Sequence, residues 1–267
     1  MSDRTPIVAS VLGLWARDFR VLRREWMPFM LRTVMNPVLS VFVFTYVLPR
    51  TGQNLPVSAG AGTMATVLVP GLIAIAMVFT SIAAVALPLS IELGATREIE
   101  DRVMAPVPLS TVPLAKVAFG AFQGTLAGAV VFPIIISLPA TAVHIHVGSW
   151  PILALMVVLS SWTAASLGLF LGTIVRPQHI GLMFAVILTP LMFLGCVYYP
   201  WASLGAIRWL QVLVLVNPLV YMSEGLRIAL TPQVPHLPIA AAAGMLFVLA
   251  TVLTIGGVRG FAKRVVG

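Results

Sequence analysis

No acidic side chain occurs between Asp101 and Glu224, and none follows Glu224. A stretch that long without a carboxylate cannot surround itself with water-facing surface. Apolar runs of about 20 residues fill it, each long enough to cross about 30 Å of hydrocarbon as a helix. Over all 267 residues, hydrophobic types make up 60% and charged types 9%, too little polar surface to coat a soluble globule. Lipid is the solvent for most of the chain. The expected fold is therefore an all-α integral membrane protein, a single transmembrane domain over residues 1–267.

Six runs qualify as spans: 29–48, 67–90, 117–140, 151–175, 180–199 and 237–258. The domain divides into an interfacial helix at 1–28, spans one to five at 29–199 with a connection at 92–116, an external segment at 200–236, and the last span with its tail at 237–267. With both termini in the cytoplasm, the inner side holds Arg4, Arg17, Arg20, Arg23, Arg24, Arg32, Arg97, Arg102, Lys116, Arg176, Arg259, Lys263 and Arg264. The outer side then holds only Arg50, Arg208 and Arg227, so the cation bias selects this orientation in the plasma membrane. No small-residue cleavage site closes the first 28 residues, so the first span is expected to be retained. The net charge of +8 collects beside apolar spans, where lipid headgroups account for it and no nucleic-acid partner is expected. The single cysteine, Cys196, rules out an intramolecular disulfide and a multi-cysteine metal site.

Ahead of the first span, Val8, Val11, Leu12, Trp15, Phe19, Leu22 and Trp26 recur at helical steps, with Arg17, Arg20 and Arg24 on the other side. This pattern describes an amphipathic helix lying in the interface, either an anchor or a moving part. Residues 200–236 are too long and apolar for a plain loop, and Pro200 and Pro218 break them. Short re-entrant helices packed on the bundle are expected there, because broken backbone cannot face lipid. Gly120, Gly124 and Gly128 line one stripe of span three, and Ala164, Gly168 and Gly172 one stripe of span four. Such stripes let helices approach closely, within one chain or across a dimer seam.

The most charged stretch, "TREIEDRVMAPVPLSTVPLAKV" at 96–117, joins spans two and three. Thr96 can cap a short helix with Glu98 and Glu100 in its first turn, and Glu98 stands four residues before Arg102 in the favourable order. Pro106 stops that helix, since the residue before a proline is pushed out of the helical region. The segment is a short charged helix parallel to the membrane, or a solvated loop whose charges keep it out of lipid.

Three pieces in order, "LVPGL" at 68–72, the 97–117 connection, and "NPLVYMSEGLR" at 217–227, sit within the six-span layout. In these pieces, and across essentially its whole length, the chain resembles the membrane subunits of type-2 ATP-binding-cassette exporters, the group that includes daunorubicin-resistance and nodulation-factor permeases. The resemblance implies a coupling helix between spans two and three that seats in a groove of an ATP-binding subunit. Glu98, Glu100, Asp101, Arg102 and Met104 become the contact candidates, with Pro106 and Pro108 as the rigid link. It also implies an external gate in 200–227, with Asn217, Pro218, Glu224 and Arg227 as candidates. The implied partners are two ATPase subunits and a second permease copy or paralogue, besides membrane lipid. ATP and Mg would be bound by the partner, leaving this chain without a cofactor and without enzymatic activity of its own.

Rival functions can be weighed on residues. A proton-coupled carrier would normally keep an acid or histidine at midplane, and the spans lack one. The chain has no Gly-x-x-x-x-Gly-Lys-Ser/Thr loop for ATP, which places nucleotide in another polypeptide. It also lacks the Glu-Ala-Ala cytoplasmic segment of import permeases, which favours export. An intramembrane enzyme would have to be built on His144 and His146, which have no third ligand nearby, while Ser160 and Ser161 have no base. Glu224 and Arg227, three residues apart, form either an ion pair holding gate helices or an exposed pair worth about 0.2–1 kcal/mol. Tyr198, Tyr199, Trp201, Trp209 and Tyr221 suit an interfacial belt or, alternatively, a substrate lining. The reading that results is a permease exporting an amphiphile, whether drug, lipid or lipid-linked glycan.

Overall fold

A computed structural model describes residues 4–47, 50–51, 63–96, 108–137 and 145–266. The described residues contain helices and turns and no strand. In chain order the α-helices are α1 (Arg4–Arg24), α2 (Trp26–Phe42), α3 (Met64–Ile91), α4 (Thr111–Ser137), α5 (Trp150–Ile174), α6 (Ile180–Met183), α7 (Thr189–Phe193), α8 (Arg208–Leu213), α9 (Pro218–Leu230) and α10 (Ile239–Val266). Among the described residues, five helical stretches are long and apolar enough to cross a membrane: Trp26–Val47, Met64–Gly94, Thr111–Ser137, Trp150–Ile174 and Ile239–Val265.

The centre of the bundle is α3. Leu68, Leu72, Met77, Ile82 and Leu89 are fully buried on successive faces, so this helix is surrounded by protein and its sequence is apolar all round. Thr63 caps it, accepting a hydrogen bond from the Thr66 backbone N–H at 3.4 Å. Thr63→Ala is expected to cost about 1 kcal/mol of stability, a shift measurable by thermal unfolding in detergent. Pro70 and Pro88 lie inside the helix, a position that membrane-spanning helices tolerate.

Close approach to α3 is what the small-residue stripes provide. On α4, Gly120 faces Val85, Gly124 faces Ser81 and Gly128 faces Met77, while on α5 a Cβ at Gly168 would stand 2.9 Å from the Cα of Ile82. These stripes therefore pack helices of the same chain together. Hydroxyl groups add hydrogen bonds between spans: Thr125 to Ser161 at 3.0 Å, Ser166 to Thr254 at 2.7 Å, and Thr163 to the Leu246 carbonyl at 3.2 Å. At the outer flank α10 turns Phe247, Val248 and Val252 away from the bundle.

A helix, α1, forms over most of the first expected segment. Trp15 and Phe19 make edge contacts with Phe119 of α4, and the Trp15 indole N–H donates to the Ala115 carbonyl at 3.3 Å.

The fifth expected span, 180–199, is where the architecture departs from the sequence expectation. The helical stretch Pro177–Phe193 is broken into a 3₁₀ turn, α6, a π-turn at Phe184–Leu188, and α7. Pro190 explains part of this, because it has no N–H for the helical ladder, and the chain widens into a π-turn just before it. The next residues, 194–199, form turns rather than helix. The segment expected to be external is a chain of short helices: a 3₁₀ turn at Trp201–Ala206, α8, a second 3₁₀ turn at Val214–Val216, and α9. The last two parts meet at a bend of 98°. Asn217 makes that corner, leaving the helical region and using its side chain to cap the Leu219 N–H at 2.9 Å, with Pro218 opening the new helix.

Candidate functional site

Glu224 and Arg227 lie one turn apart on α9, and both side chains are completely buried. Burying two charges costs several kcal/mol per ion unless their remaining hydrogen-bonding positions are filled. Here nearly all are filled, by backbone groups from four other parts of the chain. One Glu224 oxygen, Oε1, accepts from Arg227 Nη1 and from the Trp201 N–H at 2.9 Å. The other, Oε2, accepts from the Leu237 N–H at 2.9 Å. Arg227 Nη2 donates to the Cys196 carbonyl at 3.1 Å and, at 3.5 Å, to the Val67 carbonyl. Arg227 Nε is buried without a hydrogen-bond partner.

The pair thus joins the start of α3, the turn after α7, the 3₁₀ turn at Trp201–Ala206, and the residue that leads into α10. Further bonds tighten the same place. Ser223 donates to the Gly195 carbonyl at 2.7 Å, and the Asn217 amide donates to the Leu191 carbonyl at 2.7 Å. Cys196 takes a positive φ of 51°, uncommon for a residue with a side chain. Its carbonyl is the one that Arg227 holds, so the lock fixes an otherwise unfavourable turn.

The neighbouring aromatic residues divide by role. The Tyr221 hydroxyl donates to the Leu215 carbonyl at 2.7 Å, the Tyr199 hydroxyl to the Phe193 carbonyl at 2.9 Å, and the Trp201 indole to the Gln211 carbonyl at 3.1 Å. Tyr198 stacks on Phe44 of the π-turn that continues α2. Trp209, by contrast, is 70% exposed and faces away from the protein.

Of the coupling candidates, Glu98, Glu100, Asp101, Arg102, Met104 and Pro106 lie outside the described residues, as does His144. Pro108 is exposed, and its carbonyl accepts from the Thr111 N–H at the start of α4. The described residues flanking that connection hold a charge cluster that sequence reasoning missed. Lys116 of α4 donates to Glu92 Oε1 at 3.0 Å, and Arg17 of α1 approaches the same oxygen at 3.6 Å. Glu92 and Lys116 are both buried. The available signal was a carboxylate closing one apolar run and a lysine opening the next. Among the described residues, no three histidine, cysteine or acidic side chains gather to hold a metal ion.

An α-helical bundle with several membrane-length helices, a further helix before them and broken helices near the end defines a multi-pass membrane protein. The chain matches the family described as ABC-2 type transporter over residues 10–231, and it belongs to that family. It is 30% identical over 219 residues to the inner membrane transport permease YadH of Escherichia coli strain K12, a match covering 80% of each chain. The YadH permeases of Escherichia coli O157:H7 and Shigella flexneri match to the same extent. Membership makes the chain a transport permease rather than an enzyme, of a kind that works with an ATP-binding subunit. The family match includes both Glu224 and Arg227.

Proposed function

We propose that this permease is the membrane-spanning half of an ATP-driven exporter that moves an amphiphilic substrate out across the cytoplasmic membrane. The observation that carries the reading is the position of α3. Near one end of this buried helix Glu92 ties it to α1 and α4 beside the charged connection, and near the other Val67 receives Arg227 from α9. Its 28 residues extend about 42 Å at 1.5 Å per residue. A push delivered at 97–107 therefore reaches the broken helices through one packed rod.

In this scheme Glu98, Glu100, Asp101, Arg102 and Met104 meet an ATPase subunit, and Pro106 and Pro108 stiffen the link. Asn217, Pro218, Glu224 and Arg227 hold the external gate. Two ATPases and a second permease, identical or paralogous, complete the transporter, with ATP and Mg on the ATPases. The excess of Lys and Arg in alternate connections supports cytoplasmic termini. The inner-membrane designation of the YadH relatives supports the location. An amphiphile, whether drug, lipid or lipid-linked glycan, suits a cavity of about 450 Å³ between α2, α3 and α6. Ile75, Phe79, Leu87 and Phe184 line it with apolar surface, and Thr33, Asn36 and Thr80 add a few polar groups.

Purification in mild detergent followed by mass spectrometry tests the assembly, with a Walker-motif ATPase expected beside the chain. Recovery of the chain alone, under conditions that preserve other membrane complexes, would count against it. The double exchange Glu98→Arg with Arg102→Glu tests the contact. Substrate-stimulated ATP hydrolysis in the reconstituted complex should fall severalfold while membrane insertion is unchanged, and unimpaired stimulation would remove these residues from the interface.

A further inference from the structure

Between α1, α2, α3 and α4 lies a second cavity, of about 370 Å³, bordered by both signs of charge. Arg17 and Lys116 stand on it as cations, Asp18 and Glu25 as anions, and Gln123 as a neutral amide. Apolar walls complete it, among them Leu22, Phe29, Pro88 and Phe119. The cations are held in place: Glu92 beneath them binds Lys116 at 3.0 Å and draws Arg17 to 3.6 Å, and Arg17 also donates to Asp18 Oδ1 at 3.1 Å, leaving the other Asp18 oxygen to face a ligand. Glu25 is different. It is exposed, and among the described residues its carboxylate has no ion-pair or hydrogen-bond partner, and neither does the side-chain amide of Gln123.

From this arrangement we infer that the cavity is a binding site for the headgroup of a zwitterionic phospholipid carrying a primary ammonium, that is, phosphatidylethanolamine from the leaflet in which α1 lies. Two cations and two anions on one rim, with the Glu25 carboxylate the one left open, complement a headgroup with a phosphate and an amine a few bonds apart. Arg17, Lys116 and Gln123 supply donors for the phosphate oxygens. Asp18 and Glu25 accept hydrogen bonds from the ammonium. A choline headgroup has no N–H to give them, and the cavity lacks the cage of aromatic rings that would hold a quaternary ammonium instead. An anionic headgroup without an amine would leave the two carboxylates facing a phosphate. The apolar walls receive the glycerol end of the lipid, and the amphipathic character of α1 sets the cavity at headgroup depth.

The test is native mass spectrometry of the purified full chain, with any subunit that accompanies it, titrated in detergent with dioleoyl phosphatidylethanolamine, phosphatidylcholine or phosphatidylglycerol. The ethanolamine lipid should be retained about tenfold more than the choline lipid. Glu25→Gln should erase most of that preference, and Glu25→Lys should turn it toward phosphatidylglycerol. Because Glu25 is exposed and unpaired, neither change disturbs packing. Asp18→Asn, on the same rim, should weaken ethanolamine retention as well. Equal retention of the ethanolamine and choline lipids overturns the inference, and so does an ethanolamine preference that survives unchanged in both Glu25 variants. None of these outcomes depends on an ATPase being present, so the site stands or falls separately from the export reading.

Discussion

Arg227→Gln is expected to destabilise the protein by about 3–5 kcal/mol, the range seen when one partner of a buried ion pair is removed. The glutamine is neutral and shorter. It leaves the Glu224 carboxylate buried with only the Trp201 and Leu237 N–H groups, and it takes away the donor that holds the Cys196 carbonyl. Glu224→Gln should be less damaging, since the amide oxygen can still accept one of those N–H bonds, but it leaves the guanidinium buried without a counter-charge. Melting curves of the detergent-purified variants measure both effects. The double variant Glu224→Gln with Arg227→Met removes both charges and should recover part of the loss, so the sum of the single effects should exceed the double. If both single variants melt with the wild type and retain transport, the pair neither holds the fold nor serves a gate.

The second large effect is expected at Gly71, a turn along α3 from Val67. A Cβ there would overlap the Val197 carbonyl oxygen and lie 2.7 Å from both the carbonyl carbon and the Cα. These are backbone atoms of the turn that also contains Cys196, so no side-chain rotation relieves the clash. Gly71→Ala must push α3 away from that turn, at a cost of about 3 kcal/mol, the upper end for overpacking a tight core. Gly13 of α1 is the control, because a Cβ at that position meets nothing within 4 Å. Gly13→Ala should be neutral or stabilising by about 0.5–1 kcal/mol, as expected for glycine replaced in an open helical position. Thermal unfolding of the two variants side by side decides the matter, and equal melting temperatures would show that the approach of α3 to Val197 is not tight.

The long spans were legible because hydropathy needs only composition and length. The expected runs at 29–48, 67–90, 117–140, 151–175 and 237–258 each fall on a membrane-length helix of the fold. The run at 180–199 has similar composition, but composition does not register hydrogen-bond ladders. The π-turn ahead of Pro190 and the left-handed backbone at Cys196 break it without changing its hydropathy. Pro218 did mark the corner ahead of α9, since proline removes a donor wherever it stands.

The candidate site was half legible for a related reason. Spacing of three residues brings Glu224 and Arg227 together on any helix, wet or dry, so the pair was visible and its burial was not. What buries it is a set of backbone carbonyls and N–H groups, which no side-chain pattern encodes. Glu92 and Lys116 are not paired by any local spacing, because they stand 24 positions apart in the sequence with the charged connection between them.

The same lock places a constraint on biosynthesis. Its acceptor at Val67 emerges from the ribosome 160 residues before Arg227, and its last donor, Leu237, comes later still. The bundle cannot close around α3 until the C-terminal part of the chain has been made, which gives the lock the timing of a completion check. A chain stalled before Leu237 carries Glu224 with an N–H position unfilled in a half-built core. Such a chain would present the degradation machinery with an open bundle, whereas a finished one presents a closed one.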